Sequence, residues 1–302
     1  MASSSSDSVE VERLAQQDLT SEDERYAAAN LNETDETREP AITEIRRWIE
    51  ECDNASTKIG ILNLHTDDFL VLRFLRVCKF DLEKAKIRMR NYYKQRIRLS
   101  EWFLNKDPFR PEMQELLDMG LILCLRKPDS QGRLVIIVRC TQHDPSRHKL
   151  LDITKIALVV VEVATRYYTA TSVYGCTVYL DVVSPTIQQI LQLRPHFIMN
   201  VIHMWQSCYP MRYQTLNVFN ASILFDTIVT ISKSFMSEKM KKRVHVYSSA
   251  LDCFKDTPPE ILPVEYGGTD GTIQELTEYW KKLVEENREW ILKEENETNA
   301  VL

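Results

Sequence analysis

Four cations fall within five positions, Lys239, Lys241, Lys242 and Arg243, in a chain of 302 residues whose formal net charge is -6. The run before them, Ala221 to Ser232, is almost uncharged. A basic cluster beside an apolar helix, on an acidic chain, suits contact with an anionic membrane surface. Lys239 and Arg243 stand four apart, so on a helical turn they share one face. A merely solvated charged face is the alternative reading of such a run.

Reaction chemistry has little to work with. None of the seven glycines forms a nucleotide-phosphate loop, and neither a GxSxG elbow nor an HExxH pair occurs. The six histidines do not fall at metal-ligand spacing. His143-Asp144 and His148 sit in a loop before a helix, where such a pair is far more often a surface hydrogen bond than a catalytic couple. No catalytic residue, metal ligand or cofactor is assigned, and the chain reads as non-enzymatic. The seven cysteines (Cys52, Cys78, Cys124, Cys140, Cys176, Cys208 and Cys253) form no CxxC pair. Several lie inside apolar runs, which fits buried thiols in a reducing cytosol. The acidic balance argues against nucleic acid as a partner. No apolar run reaches the length of a membrane span, and no secretory signal is visible at the N-terminus.

The elements that must position these groups read in order along the chain. Residues 1–38 are rich in Ser, Glu, Asp and Thr and are expected to be flexible, with a short helix near Val9–Gln17. Residues 40–100 read as a small three-helix domain. Pro40 opens the first helix, which carries Ile42, Ile45, Trp48 and Ile49. Thr66-Asp-Asp opens the second and Asp81 caps the third. From 101 to 270 strands and helices alternate. Strands are expected at Gly120–Arg126, Leu134–Cys140, Tyr174–Val183, Thr215–Asn220 and Arg243–Tyr247, giving an α/β fold with a mostly parallel five-stranded sheet covered by helices. Between them, one helix carries Ile156, Val159, Val160, Val163 and Tyr167 on one side, with Lys155, Glu162 and Arg166 on the other. Pro195–Cys208 is amphipathic, with His196, Asn200, His203 and Ser207 on its polar face. Residues 271–302 form a C-terminal helix and acidic tail.

The helix after Asn220 is apolar at Ala221, Ile223, Leu224, Phe225, Ile228, Val229 and Ile231, over about two-thirds of its circumference. Only Ser222, Asp226 and Thr230 remain as a polar strip. Two readings are open. The helix is buried between the sheet and another layer, or it is a movable lid over a cavity.

Taken together, several segments resemble the CRAL-TRIO lipid-transfer family, over roughly residues 40–270. They are Thr66–Asp81 continuing through Asn91-Tyr-Tyr-Lys-Gln-Arg96, Tyr209-Pro-Met-Arg212, Leu216-Asn217, Lys233–Lys239, Arg243, and Leu262-Pro-Val-Glu-Tyr-Gly-Gly268. The chain is most similar to the branch of the α-tocopherol transfer protein and the cellular retinaldehyde-binding protein. That resemblance implies a deep apolar pocket under a lid helix, holding one lipid or isoprenoid, with basic side chains outside the lid that bind phosphoinositide head groups. Arg212, Lys239 and Arg243 match the branch's basic positions. Cys78 and Gln214 depart from it, each standing where a basic residue is expected. Ala157 and Val161 stand where the tocopherol protein places hydroxyl-bearing residues, so tocopherol itself is not implied.

The expected wall residues are Ala157, Val160, Val161, Tyr179, Val201, Met204, Trp205, Phe225 and Ile228. Core packing accounts equally well for each one taken singly. The reading is a cytoplasmic carrier of one hydrophobic small molecule (a tocopherol, retinoid or carotenoid-like ligand) that associates transiently with anionic membranes. The alternatives are a phosphatidylinositol or phospholipid transfer protein, and a lipid-sensing module acting on a protein partner.

Overall fold

A computed structural model describes residues 19–54 and 67–299. The helix expected near Val9–Gln17 lies outside those residues. Part of the segment expected to be flexible is helical: α1 runs Ser21–Leu31 and is closed by a Thr20–Asp23 capping box. Its Ala27 and Leu31 pack on Val173, and Tyr26 lies against the Tyr174 ring at 4.5 Å. Helix α2 spans Asp35–Asn54, so Pro40 lies inside it rather than at its start. So near the N-terminus the missing N–H deprives only the Glu36 carbonyl of a helical partner. Helix α3 (Asp68–Val77) is capped by Asp67, and α4 (Leu82–Arg98) by Asp81, each carboxylate accepting from the backbone N–H three residues on.

A buried ion pair ties these helices to the rest of the chain. Arg76 on α3 donates to both oxygens of Glu33 at 2.7 Å and to Ser172 Oγ at 2.7 Å. Burial alone would raise the Glu33 carboxyl, but the Arg76 and Arg38 guanidiniums hold it below its ordinary range.

Helix α5 (Pro111–Asp118) leads into β1 (Ile122–Cys124) and β2 (Leu134–Arg139), an antiparallel pair joined by a turn around Asp129 and Gly132. Helix α6 (Leu150–Tyr167) and the short α7 (Thr171–Tyr174) return the chain to β3 (Cys176–Asp181). Helices α8 (Ile187–Gln192) and α9 (Pro195–His203) follow, and α9 ends in a π-turn at Met204–Cys208. Strand β4 (Tyr213–Phe219), α10 (Ile223–Ser234), α11 (Glu238–Lys241) and β5 (Val244–Val246) complete the alternation. The strand order is β1-β2-β3-β4-β5, and every pairing after the first is parallel.

The two faces of this sheet are covered differently. One meets α12 (Ala250–Phe254) and the loop after it, where Tyr179, Phe219, Phe254 and Tyr266 form an aromatic cluster. The other faces α6, α8, α9 and α10 across a void. The C-terminal stretch forms two helices, α13 (Ile273–Glu286) and α14 (Arg288–Asn299), where one was expected. Helix α13 is part of the core: Trp280 is buried and donates its indole N–H to the Cys124 carbonyl at 2.6 Å.

Candidate functional site

Strand periodicity decides which residues meet the void. On β2, β3 and β4 the residues Ile136, Val138, Val178, Leu180, Leu216 and Val218 line a cavity of about 310 Å³. Residues between them point to the opposite face, as alternation requires. Helix α6 contributes Ala157 and Val161, one turn apart. The π-turn after α9 presents Met204 and Trp205, and α10 closes the space with Phe225, Ile228 and Val229. A π-turn widens the helix and re-aims its side chains, a distortion frequent at functional sites.

The Gln, His and Thr side chains around the cavity are held by protein partners. Gln189 Nε2 donates to the Thr141 and His143 carbonyls, and Gln192 Nε2 to the Pro145 and His148 carbonyls. The His143 ring nitrogens lie 3.0 Å from the Cys140 carbonyl and 2.9 Å from Gln192 Oε1. Thr141 and Thr154 donate their hydroxyls to the Val183 and Leu150 carbonyls, both at 2.7 Å. Among the described lining residues, the Tyr209 hydroxyl is the buried polar atom left without a partner, on a side chain 2% exposed. Burial pushes that phenol well above its ordinary range. The wall can therefore take up hydrocarbon but offers almost nothing to a charge.

The helices over the cavity also expose large apolar side chains on their outer surface. Ile187 and Leu191 on α8 are 68% and 69% exposed, and Ile223 at the start of α10 is 88% exposed. Helices α8 and α10 pack against each other, so these side chains belong to neighbouring elements over the cavity.

Beyond the far end of α10 the basic residues gather. Lys239 is exposed, and its ammonium is held below the ordinary lysine value by partial burial, then by Arg243, Lys79, Arg212 and Arg88. Lys239 therefore sits in the positive field of these four neighbours. The cluster is not uniformly free. Arg212 donates to the Val173 carbonyl at 2.7 Å, Arg243 donates to the Tyr213 carbonyl, and Lys241 pairs with Glu238 at 2.7 Å. Arg88 donates to the Tyr209 and Gln206 carbonyls. Helix α11 ends at Lys241, so Arg243 reaches Lys239 from the turn before β5 rather than along one helix.

Comparison with known proteins adds the family. A model described as "CRAL/TRIO domain" matches residues 118–268, and one described as "Pinta-like, UBA domain" matches residues 34–113. The chain belongs to the CRAL-TRIO family. It is 28% identical to Clavesin-2 of Mus musculus over 251 residues, covering 83% of this chain and 75% of that protein. It is 27% identical to alpha-tocopherol transfer protein-like of Homo sapiens over 270 residues, 89% and 75% of the two chains. Clavesin-1 of Xenopus laevis is 27% identical over 240 residues, 79% and 70% of the two chains. CRAL-TRIO proteins are non-catalytic carriers of hydrophobic ligands, and a carrier's site is a cavity with a way in. Among the described residues no group of His, Cys, Asp and Glu could hold a metal ion, and no helix is long and apolar enough to cross a membrane.

The structure places Ala157, Val161, Val201, Met204, Trp205, Phe225 and Ile228 around the CRAL-TRIO cavity. Val160 and Tyr179 are elsewhere. On α6, Val160 turns toward Leu116, Leu117 and Trp280, because it lies about 100° from Val161 around the helix axis, at the edge of the cavity face. Tyr179 is on the opposite face of the sheet, stacked on Phe254 at 4.6 Å with its hydroxyl 3.2 Å from Thr257 Oγ1. The charged side of α6 is not solvated either: Lys155 and Glu162 are buried, paired with Asp152 and Lys106. Gln214 gives its amide to the Tyr174 carbonyl, and the Cys78 thiol is raised by burial. Sequence reasoning missed Tyr209 as a lining residue and Arg88 as a member of the basic cluster. The Tyr-Pro-Met-Arg motif was the available signal for the first. No signal marked the second, since α4 carries cations on most of its surface.

Proposed function

We propose that this chain carries one hydrophobic small molecule, a lipid or an isoprenoid of the tocopherol, retinoid or carotenoid kind, in the cavity beneath α10. In this reading α10 is the lid. Phe225 and Ile228 are its inner side, and Ile223, with Ile187 and Leu191 of α8, is the edge that enters a membrane. The observation that carries the proposal is the apolar wall: no Asp, Glu, Lys or Arg is among its described lining residues, and its Thr141, Thr154, Gln189 and Gln192 side chains are turned onto protein partners. An apolar cargo gains about 2.5 kcal/mol for every ~100 Å² it withdraws from water. A phospholipid phosphate would need a cation in the wall, and no Lys or Arg is among the lining residues. That favours a neutral apolar cargo over phosphatidylinositol transfer.

The positive cluster then has a role at the membrane. Lys239, Arg212 and Arg243 meet anionic lipid, phosphoinositide head groups included, each worth about 1 kcal/mol near a charged bilayer. The related tocopherol-transfer-like protein supports this direction of reading, though its name does not fix the cargo here.

Native mass spectrometry with lipid extraction, on protein from its own source, tests the carrier directly. One apolar ligand per chain is the expected result. If extraction finds nothing, and a panel of fluorescent retinoids and sterols fails to bind, the reading is lost. Phe225→Asp tests the lid: slower transfer between liposomes with an unchanged melt supports it. A collapsed melt with no separate transfer defect assigns α10 to the fixed core.

A further inference from the structure

The polar face of α9 is not spent on solvent. Arg98 of α4 reaches across to Asn200 of α9, and between these helices lies a groove of about 380 Å³, separate from the apolar cavity. Lys94, Arg98 and His203 line it, and none of its described lining residues is acidic. The Arg98 guanidinium is steadied by neutral partners, donating to Gln95 Oε1 at 2.8 Å and Asn200 Oδ1 at 2.7 Å. Lys94 is exposed.

Gln95 supplies a second, independent sign. It is 2% exposed, its Oε1 is taken by Arg98, and its Nε2 donor has no partner. Because the Arg98 bond fixes which end of the amide is oxygen, the unmet atom is a donor. Buried donors are nearly always met in folded proteins, so an unmet one beside a cationic groove points to an absent acceptor. Burial, and then Arg98, hold the His203 imidazole below its ordinary value.

We infer that this groove binds a phosphate-monoester group, from a lipid head group or a soluble phosphate, as an anion site apart from the Lys239 cluster. Charge-assisted bonds from Arg98 and Lys94 would hold the phosphate oxygens, with the Gln95 amide as a neutral donor. None of the cations around Lys239 lines the groove, although Arg88 donates to the Gln206 carbonyl at its wall, so the two sites are neighbours with separate cations. The groove also adjoins the end of α10. Gln206 in its wall donates to the Phe235 carbonyl and accepts from the Ser237 N–H, both at 3.1 Å, and Phe235 lines the groove itself. The inference stands on the groove alone and does not depend on the carrier reading.

The test uses the full chain and two probes, soluble inositol trisphosphate and phosphatidylcholine vesicles carrying phosphatidylinositol bisphosphate. Side-chain resonances of Gln95 and His203 are followed during titration, beside calorimetric or sedimentation affinities and a thermal melt. Lys94→Glu is the main variant because Lys94 is exposed, and Arg98→Gln is the second. The expected result is movement of the Gln95 and His203 resonances, and an affinity weakened roughly tenfold by Lys94→Glu with the melt unchanged. Lys239→Gln should leave those resonance changes in place. Response to vesicles alone assigns the phosphate to a lipid, and response to both probes leaves the soluble source equally competent. If Lys94→Glu weakens neither probe, or if the trisphosphate moves only resonances near Lys239, the groove is not an anion site.

Discussion

The two faces of the sheet have opposite fates. On the face toward α12, Tyr179, Phe219, Phe254 and Tyr266 interlock with ring centroids 4.6 to 5.7 Å apart, and Tyr266 donates to Asp181 at 2.8 Å. On the other, β-branched and leucine side chains meet helices α6, α9 and α10 across about 310 Å³ of empty space. Both faces are built from the same strands, alternate residue by alternate residue. The faces differ in composition, aliphatic at Val178, Leu180, Leu216 and Val218 and mixed at Thr177, Tyr179, Asp181, Asn217 and Phe219, yet that difference alone does not make the cavity. It forms because small side chains on α6, Ala157 and Val161, stand where large rings would be needed to fill the gap. Protein interiors otherwise pack like organic crystals, so an apolar space of this size is an exception.

Breaking the filled face should have the largest consequence. Phe254→Ala removes the ring at the centre of the aromatic cluster and is expected to destabilise the fold by about 3–5 kcal/mol, read from denaturant unfolding. Cargo affinity, measured in protein that remains folded, should change far less. If the melt hardly moves, the two faces are not as different as their packing indicates.

Narrowing the empty face should do the converse. Val161→Phe places a ring into existing space, so the melt should stay within about 1 kcal/mol of the parent. Binding of an apolar probe should weaken at least about tenfold, or about 1.4 kcal/mol, in a fluorescence titration. Equal binding by both proteins would mean that the cargo sits elsewhere.

Tyr209→Phe sharpens the comparison at one atom. Deleting an unmet buried hydroxyl should stabilise the empty protein by about 1 kcal/mol. The same change should lower affinity for a cargo bearing a hydroxyl or carbonyl while leaving a pure hydrocarbon unaffected. Loss of affinity for both classes would show that the ring, rather than the hydroxyl, matters.

The smallest effect is expected for Tyr179→Phe, which loses only the hydroxyl contact with Thr257. About 0.5–1 kcal/mol of stability should go, with no change in cargo binding, because the residue faces away from the cavity. A binding defect here would contradict the assignment of faces.

How much of this was legible beforehand can be judged from particular residues. The five strands appeared in order, because β-branched runs bounded by Gly, Pro and Asn are a local property, although four of them are shorter than expected and β4 begins two residues earlier. The caps at Asp67, Asp81 and Thr272 are likewise local chemistry, and Asp81 was readable as such. Helix α1 was not legible: its sequence is polar, and what holds it is the distant contact of Ala27 and Leu31 with Val173. The Glu33–Arg76 clamp spans 43 positions and left no trace in any window of the sequence.

The sequence by itself determined the alternation of strands and helices, the apolar character of α10, the basic run after it, and the family those segments belong to. Each of these is carried by residue type at short spacing. Tertiary structure alone decided which face of a twice-covered strand looks into the cavity, and so separated Val178 and Leu180 from Tyr179. Along β3 and β4 an aliphatic face alternates with one that mixes Thr177, Tyr179, Asp181, Asn217 and Phe219, but alternation gives no sign of which covering layer leaves a space. It decided in the same way that Arg88, Lys79 and Arg212 join Lys239, and that the polar face of α9 meets α4 in a cationic groove. Those groupings join residues far apart in the chain, and only the packed helices bring them within reach.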